Sequence, residues 1–388
     1  MPLRVLAGAI ALVLAGALTG CGDAENGQTV ASSDQLTIYT ALPEHGPQAP
    51  RARDVLDGER LALLLADGKA GDFHVKLQPL DDSDPEADPD DAGWKPETTL
   101  KAANDAVTDP GTIAYIGDFD NGATALSLPQ TNQQDLLQVS PASTYGGFTG
   151  GPGSAPGEPD KYEPSGAPTF GQIAAMDPVQ ARAIVAVLLD GGCRRLAILR
   201  APDGFDDSLG RLIERNAGAR GLEVVYDEQV RDEDAPAHAE MADAVVEAGA
   251  ECATFVGGPG DAPAGVVGAL HNADPDLRIA LPMALADDDV AAGLGAAAQV
   301  TTIIGPPPPD EEFVRAFSER FGREPGPWAS YGYEAMRRVL RAIEVAGSRG
   351  NDRRAVVDAY LRQGPPEQRL ALWDASPTGL TLRSELPA

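Results

Sequence analysis

From residue 36 onward, short apolar-rich segments alternate with longer amphipathic ones in two successive series, and few architectures accept that order. Strands are expected at 36–41, 73–77, 113–117 and 137–140, separated by helices at 52–65, 96–107 and 123–134. The first helix shows its apolar face in Val55, Leu56, Leu61, Leu63 and Leu64, and the second strand alternates apolar with polar residues. A second series follows, with helices at 178–189, 208–217, 240–248 and 262–272 around strands at 195–199, 223–227, 252–257 and 278–281. Successive strands linked through helices pair in parallel, so the pattern predicts an α/β protein with two Rossmann-like lobes built on parallel sheets.

Between the two series, 146–168 carries seven Gly and five Pro among 23 residues, a density that defeats regular structure. It is expected as a surface loop near a crossing between lobes. Its Gly151-Pro152-Gly153 does not complete GxGxxG and no helix follows directly, which argues against a phosphate loop. Roughly 350 residues after residue 35 exceed a single ordinary core and suit two domains. With 59 acidic against 30 basic residues the formal charge is −29, which disfavours nucleic acid or an anionic lipid surface as partner.

The N-terminus carries an address. Met1-Pro2-Leu3-Arg4 precedes an uncharged apolar stretch over 5–18, then Leu18-Thr19-Gly20-Cys21. This has the layout of a secretory signal and is too short to span a bilayer as a mature helix. Leu-Thr-Gly-Cys resembles the bacterial lipobox, which implies removal of residues 1–20, lipidation of Cys21 and anchoring on the outer face of the cell membrane. Residues 21–35 are small and polar and read as a flexible tether.

The chain contains no GxSxG, HExxH, GxxxxGK[ST] or CxxC motif, and no kinase signature. His45, His74, His238 and His271 stand far apart without metal-ligand neighbours at i+2 to i+4, so surface or packing roles are expected. The aspartates of 81–91 lack the glutamate that an EF-hand loop needs at its twelfth position, which is Thr99 counted from Asp88; a solvated acidic loop is expected. No catalytic residue, cofactor or metal site emerges.

From 36 to about 379 the chain resembles the type I periplasmic solute-binding proteins, in particular the branched-chain amino acid binding group of ABC importers. The blocks fall in the same order. They are Leu42-Pro43-Glu44-His45-Gly46-Pro47, Tyr115-Ile116-Gly117 with the loop to Thr124, Gln138-Val139-Ser140-Pro141-Ala142-Ser143-Thr144, Asp203-Gly204-Phe205, and a late helical region over 313–347 with Ala329-Ser330-Tyr331-Gly332-Tyr333. The resemblance implies lobe 1 at 36–168 plus about 302–363, lobe 2 at 169–301 plus about 364–388, and a multi-strand hinge near Pro168, Thr302 and the segment after Gln363. It implies that Ala142 and Thr144, together with Asn121, bind a ligand carboxylate, with Gly122 and Ser143 also in the ligand site and Phe205, Pro259 and Ala284 on the opposite lobe. Asn121 departs from the family's serine.

The acid that pairs with a ligand ammonium is replaced by Pro282-Met283-Ala284-Leu285, which leaves Asp261 or Asp287 as substitutes. The ligand is then an amino acid, or an amide, small carboxylate or other compact solute. Cys193 and Cys252 begin neighbouring strands in a 2-1-3 order, and outside the cytoplasm a disulfide between them is expected, the other reading being two small buried residues. The implied role is capture by a monomer, hinge closure and delivery to a permease and its ATPase, without chemistry. A sensor coupled to a signalling partner, an enzyme and a scaffold that has lost its ligand are the alternatives.

Overall fold

The computed structural model describes residues 30–31, 34–86, 93–230, 235–260 and 262–386. Cys21, the signal segment and most of the tether lie outside the described residues. The first sheet forms around β4 (Thr112–Ile116), whose Thr-Ile-Ala-Tyr-Ile run is buried throughout, as a strand covered on both faces requires. Its order is β2-β3-β1-β4-β5-β6, with β1 (Gln35–Leu42), β3 (Phe73–Asp81), β4, β5 (Leu137–Ser140) and β6 (Phe170–Gln172) parallel and β2 (Lys69–Ala70) antiparallel at the edge. Helices α1 (Ala49–Leu65), α2 (Pro96–Thr108) and α3 (Asn121–Gln133) make the crossovers.

The second sheet runs β13-β12-β11-β10-β9-β7-β8. Strands β7 (Arg195–Arg200), β8 (Glu223–Gln229), β9 (Cys252–Val256), β10 (Arg278–Leu281) and β11 (Thr301–Gly305) are parallel. The hairpin of β12 (Leu370–Ser376) and β13 (Gly379–Leu386) closes the edge antiparallel to β11. Helices α4 (Asp177–Asp190), α5 (Gly204–Ala219), α6 (Ala235–Glu247), α7 (Pro263–Ala273) and α8 (Asp288–Gly293) belong to this lobe. Cys193 and Cys252, beside β7 and at the start of β9, are joined by a disulfide with a Cα–Cα distance of 6.1 Å.

The chain crosses between lobes slightly later than the sequence suggests. Phe170–Gln172 still pairs with β5, and Thr301–Gly305 still pairs with β10, so the first two crossings follow residues 172 and 305 rather than Pro168 and Thr302. A three-residue edge strand has too little pattern to be read beforehand, and only its pairing partner defines it. After the second crossing, α9 (Glu311–Phe321), α10 (Ala329–Ala346) and α11 (Arg353–Leu361) return to the first lobe, before 362–369 leads back to the second sheet. Buried Arg353 ties α11 there by donating to the carbonyl of Thr112 at 2.9 Å.

Contact between α1 and α10 is close enough to require glycine. A Cβ on Gly332 would stand 2.0 Å from the Val55 carbonyl oxygen, and one on Gly58 would stand 2.0 Å from the Ala329 carbonyl oxygen. Backbone cannot yield as a flexible side chain does, so Gly332→Ala forces the helices apart. It is expected to cost about 1–3 kcal/mol, read as a melting temperature several degrees lower. An unchanged melting curve would refute this account of the packing.

Candidate cleft between the lobes

Ligands of open parallel sheets bind beyond the carboxyl ends of the strands. In this chain the ends of β1, β4 and β5 face those of β7 and β10, and a cavity of about 70 Å³ lies between them. The first lobe lines it with Gln48, Arg51, Phe119, Asp120, Asn121, Ala142, Thr144 and Trp328. The second contributes Asp177, Gln180, Phe205, Asp206, Leu209, Pro282 and Ala284.

Arg51, on the first turn of α1, is 3% exposed and holds the two lobes together. Its guanidinium packs beside the rings of Phe119 and Trp328, at 5.5 and 5.6 Å from their centroids, and the two rings themselves touch with centroids 5.4 Å apart. Across the cleft it donates to the Ala284 carbonyl and stands 3.9 Å from the Asp287 carboxylate. Burial lowers its pKa to about 10, opposed by Asp287 and Asp120, so it stays charged at neutral pH. Trp328 adds a second bridge, donating Nε1–H to the Ala286 carbonyl at 3.1 Å.

Asp177 brings a further acid to the cavity wall. It opens α4, is 2% exposed, and has its pKa pushed up to about 6 by burial, partly offset by a hydrogen bond with the Thr144 side chain. Of the substitutes expected, Asp261 lies outside the described residues, while Asp287 caps α8 and faces Arg51 without lining the cavity. Nothing in Met176-Asp177-Pro178 marks a ligand acid, because an acid at a helix start is also what the helix dipole favours.

The structure distributes the expected ligand residues unevenly. Asn121, Ala142, Thr144, Phe205 and Ala284 line the cavity; Gly122, Ser143 and Pro259 do not. Gly122 packs under the Trp94 ring, and buried Ser143 shares a 2.6 Å hydrogen bond with Thr124. The backbone donors after β5 are occupied within the protein. Ser140 Oγ accepts from Ala142 N at 3.3 Å and Ser143 N at 2.8 Å, while Asn121 Oδ1 accepts from Thr144 N at 3.0 Å and Tyr145 N at 3.2 Å.

Two loops differ from expectation. The Gly- and Pro-rich segment is more than a surface loop, because Tyr145, Phe148 and Tyr162 bury their rings with Phe170. Glu158 organises it, accepting from Tyr145 Oη at 2.6 Å, Tyr162 Oη at 3.1 Å and Ala155 N at 2.6 Å. Phe205 from α5 meets this cluster edge-on, 5.0 Å from the Tyr145 ring. In the acidic stretch, Asp82 is fully buried rather than solvated, although no acidic or His/Cys group among the described residues is arranged to hold a metal. No helix among them is long and apolar enough to cross a membrane.

A family model described as periplasmic binding protein matches residues 40–367. The chain belongs to that family. Its members are solute-binding proteins of ABC transporters rather than enzymes, and they work outside the cytoplasm. A leucine binding protein from Thermotoga maritima is similar in structure, with a TM-score of 0.73, 17% identity and coverage of 90% of this chain and 98% of that one. A substrate-binding protein from Desulfitobacterium hafniense in complex with Leu matches with a TM-score of 0.70 and 17% identity, over 90% and 99% of the two chains. A solute-binding protein from R. palustris in complex with 4-hydroxybenzoate matches with a TM-score of 0.73 and 13% identity, over 91% and 97%. Among curated proteins, none matches by sequence.

The bridge through Arg51 yields a measurable expectation. Arg51→Met keeps bulk against the rings but removes the contacts with Ala284 and Asp287, so the solute-free protein should open and its radius of gyration rise in small-angle scattering. Scattering identical to the parent protein would show that Arg51 does not hold the lobes.

Proposed function

We propose that this chain is a monomeric extracytoplasmic lipoprotein, tethered through Cys21, that captures a compact amine-bearing solute between its lobes and delivers it to an ABC permease. Family membership supports the transport role, and the Leu-Thr-Gly-Cys sequence supports the anchor. The observation that carries the ligand class is Asp177. A nearly buried carboxylate is costly in the solute-free protein and gains a partner when an ammonium enters. Asp120 and Asp206 also line the cavity, and Arg51 is the single Lys or Arg doing so, which leaves an excess of negative charge. Phe119, Trp328 and Phe205 supply aromatic surface that tolerates both alkyl groups and cations. An amino acid, branched-chain members included, falls within this class, as does a simple amine or an amino-amide.

The sign of the pH dependence follows from the raised pKa. Between about 4 and about 6 the folded solute-free protein binds more protons at Asp177 than the unfolded chain, so stability is lost as pH rises through that window. Asp177→Asn removes the buried charge and is expected to stabilise the solute-free protein at pH 7 by up to about 3 kcal/mol, while abolishing the thermal shift given by amines. In the parent protein, affinity for an alkylamine should fall roughly tenfold between pH 7.5 and pH 5, because the amine stays protonated and Asp177 does not stay ionised. Calorimetric titration at the two pH values checks this. Binding that is indifferent to pH and to Asp177→Asn would dismiss the amine reading.

A further inference from the structure

We infer that Asn121 occupies, with its own side chain, the place where a ligand carboxylate would be held, and so selects against α-carboxylates. The inference rests on the amine reading above and narrows it to amines whose second polar group is neutral, such as an amide or hydroxyl. The geometry is direct. Asn121 Oδ1 accepts from two successive backbone N–H groups, Thr144 at 3.0 Å and Tyr145 at 3.2 Å, as a carboxylate oxygen would. The next two donors back along the chain, Ala142 N and Ser143 N, are held by Ser140 Oγ, so this turn has no N–H left for an anion.

Displacing the side chain would exchange two formed hydrogen bonds for two new ones, while a carboxylate entering a cavity already rich in acids loses hydration. The same side chain has a donor to offer, since Asn121 lines the cavity and its Nδ2 has no partner among the described residues. A neutral carbonyl or hydroxyl oxygen suits that donor. Arg51 is the remaining cation in the cavity; its Nη1 donates to the Ala284 carbonyl, and its Nε, 3.9 Å from the Asp287 carboxylate, has no hydrogen-bond partner among the described residues.

The test compares three probes with one alkyl group, namely leucine, leucinamide and 3-methylbutylamine, by calorimetric titration against the parent protein and Asn121→Gly. The parent is expected to bind leucinamide or the amine at least tenfold more tightly than leucine, and Asn121→Gly to move that ratio at least tenfold toward leucine. Asn121→Ser serves as a second variant if glycine at the helix start impairs folding, which a melting curve reports. Leucine binding to the parent as tightly as leucinamide does, or an unmoved ratio in both variants, overturns the inference.

A titration with acetate, followed through the amide resonances of Thr144 and Tyr145, separates this inference from the amine reading. Shifts confined to the variants show that Asn121 fills the anion position, even where no amine binds and the amine reading has failed. Equal shifts in the parent, or none in the variants, overturn it.

Discussion

A guanidinium withdrawn from water needs compensation, and the Arg51 site supplies it from both lobes, although Nε is left without a hydrogen-bond partner among the described residues. The head of Arg51 packs beside two touching aromatic rings of the first lobe and reaches a carbonyl and a carboxylate of the second. None of these partners alone would offset the desolvation of a buried cation. They coincide only where the lobes are in contact, so the charge that stabilises the contact is also the charge that the contact buries. Trp328 contributes to both halves of this arrangement, stacking near Arg51 and donating to Ala286. It is held in place by the close approach of α10 to α1, which the glycines at 58 and 332 permit. Helix packing in the first lobe thus sets the distance at which the second lobe docks.

Burial raises the pKa of acids both in the cleft and behind it. Asp177 faces the cavity with a pKa near 6 and is poised to ionise at neutral pH. Glu59, buried in α1 with Thr40 donating to it at 3.1 Å, is pushed up to about 8 and is largely protonated there. Asp82 is likewise raised by burial and by neighbouring Asp118 and Asp120. Glu59 therefore relieves its burial by taking up a proton, whereas Asp177 stays available to a cation.

Much of the fold was legible. Strands at 137–140 and 278–281 coincide with β5 and β10, and most other elements fall within a few residues of their expected bounds. Apolar periodicity suffices there because each element's burial is dictated by its own side chains. It fails for β6, which borrows its identity from β5, and for the aromatic cluster of 145–170, where Gly and Pro mask rings that meet only after the chain turns back on itself. The site was legible in part. Asn121, Ala142 and Thr144 stand in recognisable blocks, but the block pattern cannot show that Asn121 folds back onto the donors it was expected to leave open. Arg51 and Asp177 were missed because a charged residue at a helix start looks like an ordinary surface residue until another lobe covers it.

By itself, the sequence determined the alternation of strands and helices, the two parallel-sheet lobes, the strand-end loops that face each other and the absence of catalytic motifs. These depend on local pattern and on the rule that parallel strands require crossovers. Tertiary structure alone decided which charges are buried, which backbone donors are already satisfied, and where the lobes touch. Those properties belong to pairs of groups distant in sequence, such as Arg51 with Ala284 and Thr144 with Asp177, and burial costs nothing until the chain has brought them together.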